Sequence, residues 1–267
     1  MRVEVERLRQ LGPLAAYRLA FGDNHPDAWR LVFLHGFTQN AACIGPIASI
    51  LSREHDVIGV DLPGHGHSTE YPDADLWRSA DLVDRTTGAA CYIGYSMGGR
   101  VALHLALSHP DAVQSLVLIG ATAGIDDDDA RADRARLDHE NADRIERLGT
   151  DAFVSEWLRQ PLFATLPDST RFEAERRANG PAGLAESLRN TGTGSMESLW
   201  DRLDTIDCPV LIISGALDTK FTELGGLMAE RIGTNAQAVV VPDSGHSVHL
   251  EQPELCSDVI SRFLARV

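Results

Sequence analysis

Lysine is almost missing from this chain: Lys220 is the single one. Basic charge therefore rests on arginine, whose planar fork suits carboxylates. A codon bias would give the same count, so the count alone assigns no partner. Positive charge is also scarce in total, with 24 Lys and Arg against 39 Asp and Glu and a formal net charge of −15 at pH 7. Such a surface repels a phosphate backbone and an anionic membrane, which argues against nucleic acid and against a membrane as partners. An anionic substrate would have to be received by a local cluster of arginines. Cysteine is sparse too. Cys43, Cys91, Cys208 and Cys256 are scattered and form no CxxC pair. They read as buried free thiols in a reducing cytoplasm rather than as a disulfide framework. No apolar run is long enough to span a bilayer. The opening MRVEVERLRQ is polar, unlike a secretory signal. The expectation is a cytoplasmic protein. Its 267 residues suit one α/β core with an insertion.

What is present is a rhythm. Short runs rich in Val, Ile and Leu recur at 30–35, 56–60, 90–95, 114–119, 209–214 and 237–241, each bounded by Gly, Pro or Asp. They are continuous rather than alternating, which predicts strands buried on both faces, as in a parallel sheet. Helical patterns lie around 44–53, 75–87, 97–108, 223–232 and 253–265. Strand alternating with helix predicts a mostly parallel, doubly wound α/β sheet. The stretch 3–20 alternates enough to be an antiparallel hairpin on one edge.

From Ile125 to Asp204 the rhythm stops. The segment opens on Asp126-Asp127-Asp128-Asp129 and continues with Arg, Glu and Ala at helical spacing. Breaks at Leu166-Pro167 and Asn179-Gly180-Pro181 suggest several helices. The predicted organisation is a core of 1–124 and 205–267 with a helical lid, 125–204, inserted between two strands. Ligands bind at the carboxyl ends of such strands, where a long insertion can cover them. A plain helical excursion is the alternative.

Residues 91–106, CYIGYSMGGRVALHLA, place Ser96 between an apolar run and a helical one, flanked by Gly94 and Gly98. Strand, Gly-Tyr-Ser-Met-Gly, helix is the order of a nucleophile elbow. Ser96 would project from a very tight turn with positive φ, where a side chain two residues either way would collide with strand or helix. The helix dipole would favour an alkoxide there. An elbow needs a base and an acid in the order Ser, acid, His. Asp218 follows the run at 209–214, and His246 follows the last run. His246 would take the Ser96 proton, and Asp218 would hold the imidazole tautomer. Asp243 and His249 are the rivals, read as a turn residue and as a surface or lid-facing residue. The backbone amides of Met97 and Phe37 are the candidate oxyanion donors. His35 reads as a hydrogen-bonder shaping the Phe37 loop. His65 and His67 flank Gly66, but no third ligand at a recognisable spacing accompanies them, so no metal is assigned.

HGFTQN, DLPGHGHS, GYSMGGR and the late GHSVHLEQP resemble the α/β-hydrolase family over nearly the whole chain. The resemblance implies the α/β-hydrolase fold and the Ser96–His246–Asp218 triad, and it leaves the reaction open. EWLRQPLFATLP, RRANG, LAESLRNTGTGSMESLWDRL and GALDTKF are similar to a narrower group. These are the MenH-type 2-succinyl-6-hydroxy-2,4-cyclohexadiene-1-carboxylate synthases of menaquinone biosynthesis. That likeness implies a lyase without a cofactor. It would act on a small polycarboxylate substrate and expel pyruvate, with Ser96 as base. It also implies substrate contacts from Tyr95, Arg100, Arg134, Trp157, Phe163 and, with a slip of one residue, Arg177. Arg100 follows Ser96 by one helical turn. A structural salt bridge is the alternative for Arg100, and packing within the lid for Trp157 and Phe163. A monomer or weak homo-oligomer is expected. The other readings are a serine-dependent ester or C–C bond hydrolase and a non-catalytic ligand sensor. The intact Ser, Asp and His argue against the sensor. An aspartate tract lining the pocket would repel a polyanion.

Overall fold

In the computed structural model, residues 5–8, 12–19 and 28–267 are described. Eight strands form one sheet: β1 (Val5–Leu8), β2 (Ala16–Leu19), β3 (Arg30–Leu34), β4 (Asp56–Val60), β5 (Ala90–Tyr95), β6 (Val113–Ile119), β7 (Val210–Gly215) and β8 (Ala236–Val241). Their spatial order is β1-β2-β4-β3-β5-β6-β7-β8. β1 and β2 pair antiparallel at one edge, β2 runs antiparallel to β4, and every later pairing is parallel. The edge hairpin expected within 3–20 therefore forms over the described part of that stretch; residues 3, 4, 9–11 and 20 lie outside the described residues.

The continuous apolar runs have a direct cause. In β3, Val32 and Leu34 enter one core while Leu31 and Phe33 enter the other. β6 does the same with Leu116 and Leu118 on one side and Val117 and Ile119 on the other. Helices α2 (Leu76–Thr87), α3 (Met97–Ser108) and α7 (Thr219–Ile232) cover the first face, and α1 (Pro46–Leu51) and α9 (Pro253–Leu264) cover the second. With apolar cover on both faces, no strand position through the middle of the sheet needs a polar residue.

The insertion between β6 and β7 carries α4 (Asp128–Trp157), α5 (Glu173–Arg177) and α6 (Pro181–Thr191), joined by short 3₁₀ turns. α4 is broken at Gly149, whose φ of 77° and ψ of 166° are not helical. The insertion has its own small core, where Ala142, Ile145 and Phe153 pack on Leu184, Ala185 and Leu188. The aspartate tract starts α4 and faces solvent. Asp127 caps the helix by accepting from the Ala130 amide at 2.8 Å, and Asp126 accepts from Ser198 Oγ at 2.9 Å. It does not line the site. Among the described residues no helix is long and apolar enough to cross a membrane.

Strand order reverses between β3 and β5: the chain goes from β3 to β4 on one side and then to β5 on the other. This reversal opens a crevice at the carboxyl ends of those two strands, the usual ligand position in an open parallel sheet.

Candidate active site

Ser96 occupies that crevice at the end of β5. Its φ is 51° and ψ −107°, a strained conformation for a residue with a side chain. The turn is held by the Ser96 amide donating to the Ile119 carbonyl of β6 at 2.9 Å. The flanking glycines are steric necessities. A Cβ on Gly94 would lie 2.5 Å from the Gly98 carbonyl oxygen, and one on Gly98 would lie 2.0 Å from the Leu34 oxygen. Because Gly98 carries no side chain, α3 packs directly on the end of β3 and brings Ser96 beside the Phe37 loop.

The two later loops meet the serine from the other side. The amides of Ala216 and Leu217 donate to the carbonyls of Val241 and Ser244, each at 2.9 Å, which ties the loop after β7 to the loop after β8. Asp218 caps α7 with one carboxylate oxygen, accepting from Phe221 N at 3.3 Å. Its other oxygen lies 2.8 Å from His246 Nδ1, and His246 Nε2 lies 3.3 Å from Ser96 Oγ. Asp218, His246 and Ser96 thus form one hydrogen-bonded chain. His246 is buried, with Tyr95 and Phe221 rings at 5.4 and 4.5 Å. The Met97 amide is the first of α3 and has no intrahelical acceptor. Neither it nor the Phe37 amide has an acceptor among the described residues.

Three of the histidines nearby, His35, His65 and His249, are buried. His35 lies between the Gly36 carbonyl, to which Nδ1 donates at 2.9 Å, and the Leu62 amide, which donates to Nε2 at 3.0 Å. Burial lowers its pKa to about 4. It shapes the loop, as expected. His65 is buried against the Pro63 carbonyl at 3.0 Å, whereas the exposed His67 turns to the Tyr17 hydroxyl at 2.8 Å. Asp243 is a turn residue with φ 52°. His249 differs from expectation. It is buried, neither on the surface nor on the lid, with its ring 4.5 Å from Tyr95. Burial, with His246 and Arg176 nearby, lowers its pKa to about 3. One turn of α8 (Val248–Glu251) carries it beneath the site rather than out of it.

The expected substrate contacts divide. Trp157 stacks on Phe153 at 5.6 Å and meets Phe37 and Phe163 at 5.3 and 6.1 Å, an aromatic wall shared by the inserted helices and the Phe37 loop. Tyr95 lies under His246, and its hydroxyl lies 2.7 Å from Ser247 Oγ. Arg100 is buried and reaches the lid, donating to Thr191 O at 2.7 Å and Thr193 Oγ1 at 3.0 Å. Burial first, then the Arg134 charge, lowers its pKa to about 10, so it stays cationic at neutral pH. Arg134 pairs with Asp138 at 2.8 Å. Arg177 does not reach the site. It lies on the outer lid surface, bonded to Glu173 at 2.7 Å and Ser155 at 3.0 Å. Its neighbour Arg176 is the buried one. The Arg176 guanidinium donates to Thr38 Oγ1 and to Arg171 O, and it lies 6.0 Å from the Phe163 ring. A one-residue slip on a five-residue helix exchanges the outer face for the inner one.

Sequence reasoning missed three more residues. Asn179 Nδ2 donates to Thr38 O at 2.7 Å, and Asn179 Oδ1 accepts from Gly66 N at 2.7 Å, so the lid is pinned to two core loops. Gln39 Oε1 accepts from the Gly36 amide at 2.9 Å. Glu251 accepts from the amides on either side of His246. RRANG and GHSVHLEQP contain the lid and histidine-loop residues, yet neither pattern encodes a side chain reaching backbone amides.

Residues 31–259 match the model of the alpha/beta hydrolase family. This chain belongs to that family. Within the alpha/beta hydrolases it is similar to a Bacillus subtilis (strain 168) protein provisionally named as a 2-succinyl-6-hydroxy-2,4-cyclohexadiene-1-carboxylate synthase. The two are 36% identical over 94% of this chain and 96% of that protein. The synthase of that name from Enterobacter sp. (strain 638) is 31% identical over 88% of this chain and 91% of its own length. Among solved structures, MenH from S. aureus superposes with a TM-score of 0.86 at 30% identity, covering 92% of this chain and 97% of that one.

Proposed function

We propose that this alpha/beta hydrolase is a carbon–oxygen lyase of menaquinone biosynthesis. It converts 2-succinyl-5-enolpyruvyl-6-hydroxy-3-cyclohexene-1-carboxylate to 2-succinyl-6-hydroxy-2,4-cyclohexadiene-1-carboxylate and pyruvate. The observation that carries the reading is the full-length likeness to the Bacillus subtilis and Enterobacter proteins of that name, together with the hydrogen-bonded Ser96, His246 and Asp218.

Substrate and product names define the bond changes. The ring double bond at C3–C4 becomes a pair at C2–C3 and C4–C5. The proton therefore leaves C2, beside the succinyl carbonyl. Its electron pair forms C2=C3, the old pair moves to C4=C5, and the C5–O bond breaks with its pair to release the enolate of pyruvate, which takes up one proton to become pyruvate and so balances the proton lost from C2. Ser96, relieved of its own proton by His246, is the base at C2, and Asp218 stabilises the imidazolium that forms. The amides of Phe37 and Met97, neither of which has an acceptor among the described residues, take the role of oxyanion donors in this reading and receive the negative charge that develops on the succinyl oxygen. No cofactor enters these steps.

The substrate's carboxylates need cations in a protein of net charge −15. Arg176 is buried with Nη2 unpaired among the described residues, and the indole N–H of Trp157 and the Gln39 amide nitrogen are in the same condition. Unpaired buried donors are costly unless a ligand uses them. We assign carboxylate binding to Arg176, with Arg100 and Arg134 as further cations and Trp157, Phe163 and Tyr95 shaping the pocket. Residues 125–204 act as the lid. The acidic surface and the free thiols, buried at Cys43, Cys91 and Cys256 but, against expectation, only half-buried at Cys208, fit a cytoplasmic enzyme, for which a monomer or weak homo-oligomer is the proposed state.

Hydrolysis is the competing chemistry, because the same triad and amides can support an acyl-enzyme. A thermophilic esterase from Thermogutta terrifontis, in a malate-bound structure, superposes with a TM-score of 0.79 at 26% identity. Supplying the cyclohexene substrate and simple esters side by side separates the two. One pyruvate per cyclohexadiene formed, with negligible ester cleavage, supports the lyase; rapid ester cleavage without pyruvate release supports the hydrolase.

A further inference from the structure

The imidazole of His246 is held on its ring by Asp218, Tyr95 and Phe221, but a ring is only as fixed as the backbone that carries it. That backbone is a loop leaving β8 through a positive-φ residue, Asp243. One side chain grips it on both sides of the histidine. Glu251 Oε2 accepts from the Gly245 amide at 2.7 Å, and Glu251 Oε1 accepts from the Ser247 amide at 2.9 Å. Ser247 is further tied through its hydroxyl to Tyr95, 2.7 Å away. The Glu251 amide itself donates to Ser247 O at 3.0 Å, so α8 closes the ring of contacts.

We propose that Glu251 is a positioning residue for catalysis: its two carboxylate oxygens clamp the peptide groups flanking His246 and set the distance from the imidazole to Ser96. The chemistry of the clamp is specific. Two amide N–H groups need two acceptors, and an ionised carboxylate supplies both. A glutamine supplies one acceptor and turns its NH₂ donor toward the other amide. The tolerance is small, because His246 Nε2 and Ser96 Oγ are 3.3 Å apart, close to the limit of a hydrogen bond. A displacement of a few tenths of an ångström breaks the proton path without disturbing either core.

The inference rests on the triad reading above, and it holds for elimination or hydrolysis alike. The test compares wild type, Glu251→Gln and Glu251→Asp by pyruvate release and by the His246 imidazole ¹H–¹³C resonance, assigned through His246→Ala. The expected result for Glu251→Gln is a kcat lower by about tenfold or more with KM within about twofold, and a displaced His246 resonance. Glu251→Asp, which keeps both acceptors on a shorter arm, restores part of the rate. It also serves as the test variant should Glu251→Gln fail to fold. An unmoved His246 resonance, or a kcat close to wild type, overturns the proposal. If wild type releases no pyruvate, the elimination reading falls and the resonance alone decides Glu251.

Discussion

The side-chain amide of Asn179, in the segment inserted between β6 and β7, donates to the main-chain carbonyl of Thr38, next to Phe37, at 2.7 Å. Thr38 has a φ of 67°, so its strained peptide is held in place from above. Asn179→Ala leaves that carbonyl and the Gly66 amide without partners. The expected cost is about 2–4 kcal/mol of stability, read from urea unfolding, with a lower kcat at temperatures where the variant stays folded. A variant as stable and as active as wild type would show that the lid does not brace this loop.

Adjacent arginines separate the inner from the outer face of α5. Removing the guanidinium in Arg176→Ala should lower kcat/KM about 10–100-fold, the worth of a buried charge-assisted contact. Arg177→Ala loses an exposed pair to Glu173 and should leave kcat/KM within about twofold. Steady-state kinetics on the two variants checks both, and equal losses would remove Arg176 from the site.

Asp218→Asn keeps the shape of the acid but reverses the tautomer that His246 prefers. A fall in kcat of about 10³–10⁴-fold with little change in KM is expected. Asp243→Asn, on the neighbouring turn, should stay close to wild type. A larger loss at Asp243 would reassign the acid.

Four buried histidines give the fold an acid limit. Burial lowers His35 and His104 to about 4 and His65 and His249 to about 3, from an unfolded value of 6.5. Between those values and 6.5 the unfolded chain binds protons that the folded chain does not. Stability is therefore complete above pH 6.5 and declines as pH falls toward 4, by up to about 1.4 kcal/mol per pH unit for each histidine. His104 packs on Trp77, with ring centroids 4.4 Å apart, and takes no part in the triad. His104→Gln should flatten the slope of Tm against pH between 4.5 and 6.5. An unchanged slope would remove His104 from the acid response.

Much of this arrangement was legible in the sequence, for physical reasons. β3 to β7 are buried on both faces over nearly their whole length, so their apolar runs are continuous and easy to bound; β8, at the sheet edge, departs from that expectation and is mostly half-buried or exposed. GYSMGG is legible because a Cβ on Gly98 would lie 2.0 Å from the Leu34 carbonyl oxygen, so only glycine fits there. The meeting of Asp218 and His246 with Ser96 was legible because each follows a strand end. The rest depends on contacts that no spacing records. Arg176 and Arg177 are equivalent in composition, and only the packing of α5 on Thr38 chooses between them. His249 looks like a surface residue until α8 turns it under Tyr95. Glu251 and Asn179 act on backbone amides and carbonyls, which every residue possesses, so their partners leave no mark in the sequence.

The most direct measurement is the rate of pyruvate release from the cyclohexene substrate, supplied fresh, for wild type and Ser96→Ala with the spontaneous rate subtracted. The expected result is fast release by wild type, with cyclohexadiene formed in equal amount, and release near background for Ser96→Ala. Release that persists undiminished in Ser96→Ala, or none above background in wild type, would contradict an elimination driven by Ser96.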